Sequence, residues 1–254
     1  MSLLAFDPWR GVVDVEWATA LVLFAVWYGC ASQVLRIPAW RRGCFAAGLL
    51  LIAVALLSPV ERVALDAMLS FHLLQNVMLA DWAPPLLVLG VTPAMAAVAE
   101  RRRWVRAATA PAVAIAYWLA VWYAVHVPAV YGYALDHRWA LGVEHLAFLL
   151  AGVAFWWPVL VPGRITLGPK LAYLAAAFFL AAPLAALIAL SSTTLYPYYD
   201  STPHLWGLSP LEDQQLGGIL MAVEQSAILF AVFSRTFLAM LAHDERAAEP
   251  LGSG

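Results

Sequence analysis

Apolar residues run along this chain in stretches of roughly 20, separated by short clusters of charge, proline and glycine. At 1.5 Å of rise per residue, a helix of that length crosses the hydrocarbon core of a bilayer. Cutting at the charges predicts seven such stretches, at residues 17–35, 44–60, 68–90, 108–127, 139–161, 171–191 and 213–241, with 91–100 turning onto the surface after the third. Helices are expected for all seven, because a helix satisfies its own backbone donors and acceptors where no water is at hand. The pattern therefore predicts an all-α fold, a polytopic membrane helix bundle. Its parts are a segment at 1–16, a seven-span domain at 17–241 and a tail at 242–254.

Charge orients the bundle. Arg36, Arg41 and Arg42 join the first and second stretches, Arg101, Arg102, Arg103 and Arg106 the third and fourth, and Arg164 and Lys170 the fifth and sixth. Arg235 and Arg246 flank the C-terminal end. The intervening connections carry Glu61, Asp66, Asp136, Asp200, Glu212 and Asp213, with only Arg62 and Arg138 against them. Short basic loops stay in the cytoplasm, so the N-terminus is expected outside and the C-terminus inside. Residues 1–16 lack the basic start and apolar core of a cleavable signal, and the first span is expected to be retained. Composition agrees with a lipid-embedded chain, 64% hydrophobic and only 12% charged. The basic residues form no stripe suited to nucleic acid. Cys30 and Cys44 fall toward the cytoplasmic ends of their spans, where a stable disulfide is not expected.

With that orientation, His72, His126 and His145 lie near the outer ends of three different spans. An ionisable side chain inside a membrane is costly and points to function, and three imidazoles at one depth point to a metal. Taken singly, each also reads as an interfacial histidine bonded to a carbonyl of a neighbouring helix. His137 and His204 read as solvated loop residues, and His243 as cytoplasmic. Met68, His72, Gln75 and Asn76 recur at helical spacing and share one face. Thioether with imidazole suits copper(I), and the lack of outer cysteines argues against a thiolate zinc centre. A lone Met is equally a gap-filling core residue. In the last span, Asp213 is a candidate for orienting a ligating imidazole, or else an acid at a helix N-terminus. Gln214 lies beside it, and Met221 two turns deeper can close the floor of a site. Asp81 points away from His72 and falls with Glu224 near mid-membrane, where carboxylates pair, protonate or face water. Pro84 and Pro85 are expected to kink the third span.

The stretch His72-Leu-Leu-Gln75, continuing through Ala83-Pro84-Pro85-Leu-Leu-Val-Leu-Gly90, resembles the CtaG family of cytochrome c oxidase assembly factors. Further similar segments follow in order: Trp122 to Tyr131 with His126 and Pro128, Glu144-His145 leading to Gly152 and Trp156-Trp157-Pro158, and Glu212-Asp213-Gln214-Gln215 with Gly217-Gly218. The resemblance covers roughly residues 20 to 240. It implies a multi-pass assembly factor of the bacterial plasma membrane that helps copper reach the oxidase. It carries family positions onto His72, His126, His145, Asp213 and Gln214. The chain departs from the family at Asn76, where relatives carry a second histidine one turn after the first. An amide is a poor copper ligand, so Asn76 implies a weaker site, recourse to Met68 or Met221, or another partner.

The expectation drawn from residues and resemblance together is binding, not catalysis. Copper(I) is held transiently by His72, His126 and His145, with Met68, Gln75, Asn76, Asp213, Gln214 and Met221 as further ligands or supports. It then passes to the catalytic subunit of cytochrome c oxidase, with other copper chaperones as further candidate partners. Two alternatives stand beside it: a haem-binding electron carrier with His126 and His145 as axial ligands, and a proton or ion transporter built on Asp81 and Glu224. A retinal protein is disfavoured, since the single lysine, Lys170, lies outside the seventh span.

Overall fold

The computed structural model describes residues 7–9 and 14–248, with side chains to His243. Residues 1–6, 10–13 and 249–254, which hold most of the expected outer segment and the end of the expected tail, lie outside the described residues. Everything regular among the described residues is helical. Helix α1 is Val15–Val34, α2 Ala39–Leu57, α3 Pro59–Asp66, α4 Leu69–Val77, α5 Ala83–Gly90, α6 Pro93–Ala99 and α7 Arg103–Ala108. Then follow α8 Pro111–Val125, α9 Pro128–Asp136, α10 Arg138–Leu160, α11 Leu167–Leu190 and α12 Pro210–Ala248. Among the described residues, six helical segments are long and apolar enough to cross a membrane, and the bent pair α8–α9 makes a seventh if it is one broken span. This is a multi-pass membrane protein.

Local chemistry sets the starts. Asp14 caps α1 by accepting from the Glu16 and Trp17 amides, and prolines open α3, α6, α8 and α9 at the first turn, where no intrahelical N–H is needed. The surface turn expected at 91–100 is α6. Arg41 and Arg42, expected in the connection, stand instead in the first turn of α2.

The third span is the buried centre, made of α4, a π-helical turn Met78–Trp82 and α5. Pro84 and Pro85 offer no N–H to the preceding carbonyls, and the π turn sits immediately before them, so the break is a change of helical winding. Helices α2, α10 and α12 pack around this span, with α11 against α12 and α8 against α10. The fourth apolar stretch, expected at 108–127, holds α8, and the chain turns sharply just past its end. The turn is 74° between α8 and α9, at Pro128, because proline disfavours helical geometry in the residue before it. Close approach depends on glycines, two of them against backbone. A Cβ at Gly152 of α10 would fall 2.5 Å from Pro84 Cγ and inside the Ala80 carbonyl of the π turn. At Gly218 of α12 it would fall against the Ala189 backbone of α11. Aromatic rings of α8 and α10 fill the interior, with Trp118 stacked on Phe155 at 4.6 Å. Cys30 and Cys44 are free thiols.

Candidate functional site

His72, His126 and His145 are all buried, and they reach one cluster from three elements: the second turn of α4, the C-terminal cap of α8, and α10 two turns in. The His72 and His145 rings lie 6.3 Å apart. Tyr131 of α9 stands between His72, at 4.8 Å, and His126, at 6.2 Å. The bend at Pro128 is what turns α9 back to place it there. Trp17 of α1 covers His145.

The hydrogen bonds fix two of the imidazole tautomers. Tyr199, in a 3-10 turn between α11 and α12, donates its one hydroxyl proton to the Ala64 carbonyl at 2.7 Å. Its oxygen therefore accepts from His72 Nδ1–H, at 3.0 Å. His126 Nδ1 lies 2.6 Å from the Trp122 carbonyl, which can only accept. In both rings Nδ1 therefore carries a proton, and in the neutral form of either ring the lone pair sits on Nε2. His72 Nε2 is 3.4 Å from Glu144 Oε1, beyond a good hydrogen bond, and the Nε2 atoms of His126 and His145 are buried with no partner among the described residues.

Glu144 is the centre of the cluster. It is buried, it interacts electrostatically with all three imidazoles, and it accepts from Asn76 Nδ2 at 3.3 Å. Asn76 thus holds the carboxylate, while its own Oδ1 lacks a partner. Gln75 ties the site to its neighbours, donating to the Ala55 carbonyl of α2 at 2.8 Å and to Glu61 of α3. Burial pushes the Glu61 carboxyl up to about 7, against the opposing pull of the Gln75 amide and His72.

Other expected members lie elsewhere. Met68 packs with Val63, Ala67 and Leu205 in an apolar cluster. Asp213 does not orient an imidazole. Its carboxylate accepts from the Leu69 amide at 2.7 Å and from the Ser70 amide and hydroxyl, so α12 caps the exposed donors of α4. Gln214 accepts from the Leu195 amide at 2.6 Å and donates to the Thr193 carbonyl, holding the loop after α11. Met221 is fully buried in the main core. His137 and His204 are exposed.

A second polar cluster lies deeper. Asp81 on the π turn and Glu224 on α12 interact electrostatically, and Trp82 Nε1 donates to Glu224. Both carboxylates are buried.

Among the described residues, no three His, Cys, Asp or Glu side chains are arranged to hold a metal ion as they stand. The donors nevertheless fit a soft or borderline cation in kind, since three buried imidazoles have Nε2 atoms without a hydrogen bond and one carboxylate lies among their electrostatic neighbours.

A helical membrane bundle with a buried imidazole and carboxylate cluster near one face is the class these features define. The chain belongs to the cytochrome c oxidase caa3 assembly factor family, Caa3_CtaG, whose sequence model matches residues 21–243. No curated protein and no solved structure matches it.

Sequence reasoning did not single out Glu144, Tyr131 or Tyr199 as site residues. Glu144 had a signal, a carboxylate within an apolar stretch next to a histidine. Tyr199 had none, because only the fold brings its loop over α4.

Proposed function

We propose that the histidine cluster takes up copper(I) from the outer side of a bacterial plasma membrane and hands it to the catalytic subunit of cytochrome c oxidase during assembly. The observation that supports this best is the set of three buried Nε2 atoms, none with a good hydrogen bond, on imidazoles that all interact electrostatically with Glu144. A buried polar atom left unpaired costs about 1–3 kcal/mol, and a soft cation gives each of these lone pairs a partner. In metal sites, a ligating histidine ordinarily donates its other ring N–H to a carbonyl or similar acceptor. His126 does this through Trp122, and His72 through Tyr199. Glu144 supplies negative charge beside the imidazoles, which favours a monovalent cation in a low-dielectric setting. Because the rings form no closed cage, an incoming ligand of the oxidase can displace them one at a time. The reading is one of binding and transfer, not of turnover.

Copper bound per purified protein, measured beside oxidase assembly in cells, tests it. Wild type is expected to bind copper(I), and the His72→Ala, His126→Ala, His145→Ala variant to lose it together with assembled oxidase. Equal copper content with normal oxidase in that variant would sink the proposal, and a haem absorbance band in the purified wild type would support the axial-ligand alternative instead. A proton-transfer role is the second reading, favoured by the meeting of Asp81 and Glu224. An unchanged proton flux in Asp81→Asn, Glu224→Gln vesicles removes it.

A further inference from the structure

At the end of the bundle opposite the histidines, three cationic side chains from three helices meet at one cavity. Arg41 stands in the first turn of α2, Lys170 in the first turn of α11, and Arg235 toward the end of α12. All three line a space of about 370 Å³ together with Trp40. Among the described residues, no carboxylate lines it. Lys170 and Arg235 are close enough to repel each other electrostatically. Arg41 spends Nη1 on the Leu89 and Val91 carbonyls, at 2.8 and 2.6 Å, and lies over the Trp40 ring. The rest of its guanidinium fork remains for another acceptor. Like charges held around one cavity with no counter-charge in its wall are destabilising unless an anion joins them.

A second cavity gives the anion a body. One turn beyond Lys170 along α11, and just before Arg235 along α12, a groove of about 690 Å³ begins between these two helices. Its wall is almost wholly apolar, with Leu174, Phe178, Phe179, Phe230 and Phe233 among its lining residues. The cationic cavity therefore sits at the mouth of an apolar groove that runs into the membrane. Phosphate at the mouth and hydrocarbon in the groove are the two halves of one molecule.

We propose that Arg41, Lys170 and Arg235 bind the headgroup phosphate of an anionic phospholipid whose acyl chains lie in the α11–α12 groove. Basic pockets between helices on the face rich in arginine recognise such headgroups, each cation adding to the attraction. The site is separate from the histidine cluster and does not rest on copper handling.

Native mass spectrometry of the detergent-purified protein, titrated with phosphatidylglycerol or with phosphatidylcholine of the same acyl chains, tests the assignment. Wild type is expected to prefer phosphatidylglycerol by about 30-fold, from Lys170 and Arg235 acting near the surface. The Lys170→Gln, Arg235→Gln variant is expected to lose that preference while keeping its phosphatidylcholine adducts, and Lys170→Arg, Arg235→Lys to retain it. Equal affinity for the two lipids in wild type overturns the proposal, as does an undiminished preference in the Gln variant. Complete displacement of phosphatidylglycerol by millimolar inorganic phosphate overturns it in favour of a free-phosphate site. Should the double variant fail to fold, exposed Arg235→Gln alone carries the comparison, with a preference weakened several-fold expected and an unchanged one counting against the site.

Discussion

His72 and His126 each have one ring nitrogen in a hydrogen bond and one without. A buried histidine serving only structure would be expected to find partners for both nitrogens, because the unpaired atom carries its full desolvation cost. Here Nδ1 is held by Tyr199 or by the Trp122 carbonyl, and Nε2 is buried without a hydrogen bond, that of His72 lying 3.4 Å from Glu144. Glu61 adds a titrating neighbour. Its folded value near 7 lies above the 4.5 of an ordinary glutamate because burial opposes its charge. Between those two values the unfolded chain binds fewer protons than the folded one, so stability falls as pH rises through the interval and levels off above it. The thermal unfolding midpoint of the wild type is expected to drop from pH 5 to pH 8, and Glu61→Gln to remove much of that drop. Parallel slopes for the two proteins would exclude Glu61 as the source. The histidines were legible as residues because polar groups stand out in apolar stretches. Glu144 was legible only as a neighbour of His145, since nothing in the spacing says that three imidazoles surround it.

At the scale of elements, two breaks shape the site, and prolines stand at both. The π turn before Pro84 places Asp81 toward α12, and the 74° bend at Pro128 carries Tyr131 back over the imidazoles. Apolar length revealed both spans. The prolines marked both places, with a kink expected at Pro84 and Pro85 and a stretch ending before Pro128, but not the form of each break, since a proline in a membrane helix can be absorbed by a kink, a π turn or a full bend depending on what its neighbours satisfy. Helix α10 offers an internal comparison between two glycines. Gly152 meets the Ala80 carbonyl and Pro84, whereas Gly142 has open space around it. Gly152→Ala is expected to destabilise the protein by about 1–3 kcal/mol through overpacking. Gly142→Ala is expected to be neutral or mildly stabilising, by up to about 1 kcal/mol. Equal unfolding midpoints for the two variants would mean that α10 does not approach the π turn so closely.

The whole molecule divides its chemistry between two ends. The histidine cluster, Glu61 and the capping carboxylate of Asp213 occupy one, and Arg41, Lys170 and Arg235 the other. The loop charges predict that the histidine end faces outward. In a background carrying Cys30→Ser and Cys44→Ala, a membrane-impermeant maleimide added to intact cells is expected to label His137→Cys and to spare Arg106→Cys. The reverse pattern would invert the bundle and put the proposed copper entry on the wrong side. Either way, the two sites share no residue, so metal handling and lipid contact are separable by mutation.

By itself the sequence determined that the chain is a helical membrane bundle, roughly where its spans run, and which residues are costly enough in lipid to be functional. Hydrophobic length and charge are properties of short stretches, and the bilayer reads them locally. Tertiary structure decided which of those residues meet. It drew Glu144 among the imidazoles, put Asp213 on the α4 amides instead of on a histidine, sent Met68 into an apolar cluster, and gathered three cations from distant helices around one cavity. Such meetings depend on helix rotation, on breaks at proline and on the close approach that glycine permits, none of which a single stretch of sequence specifies.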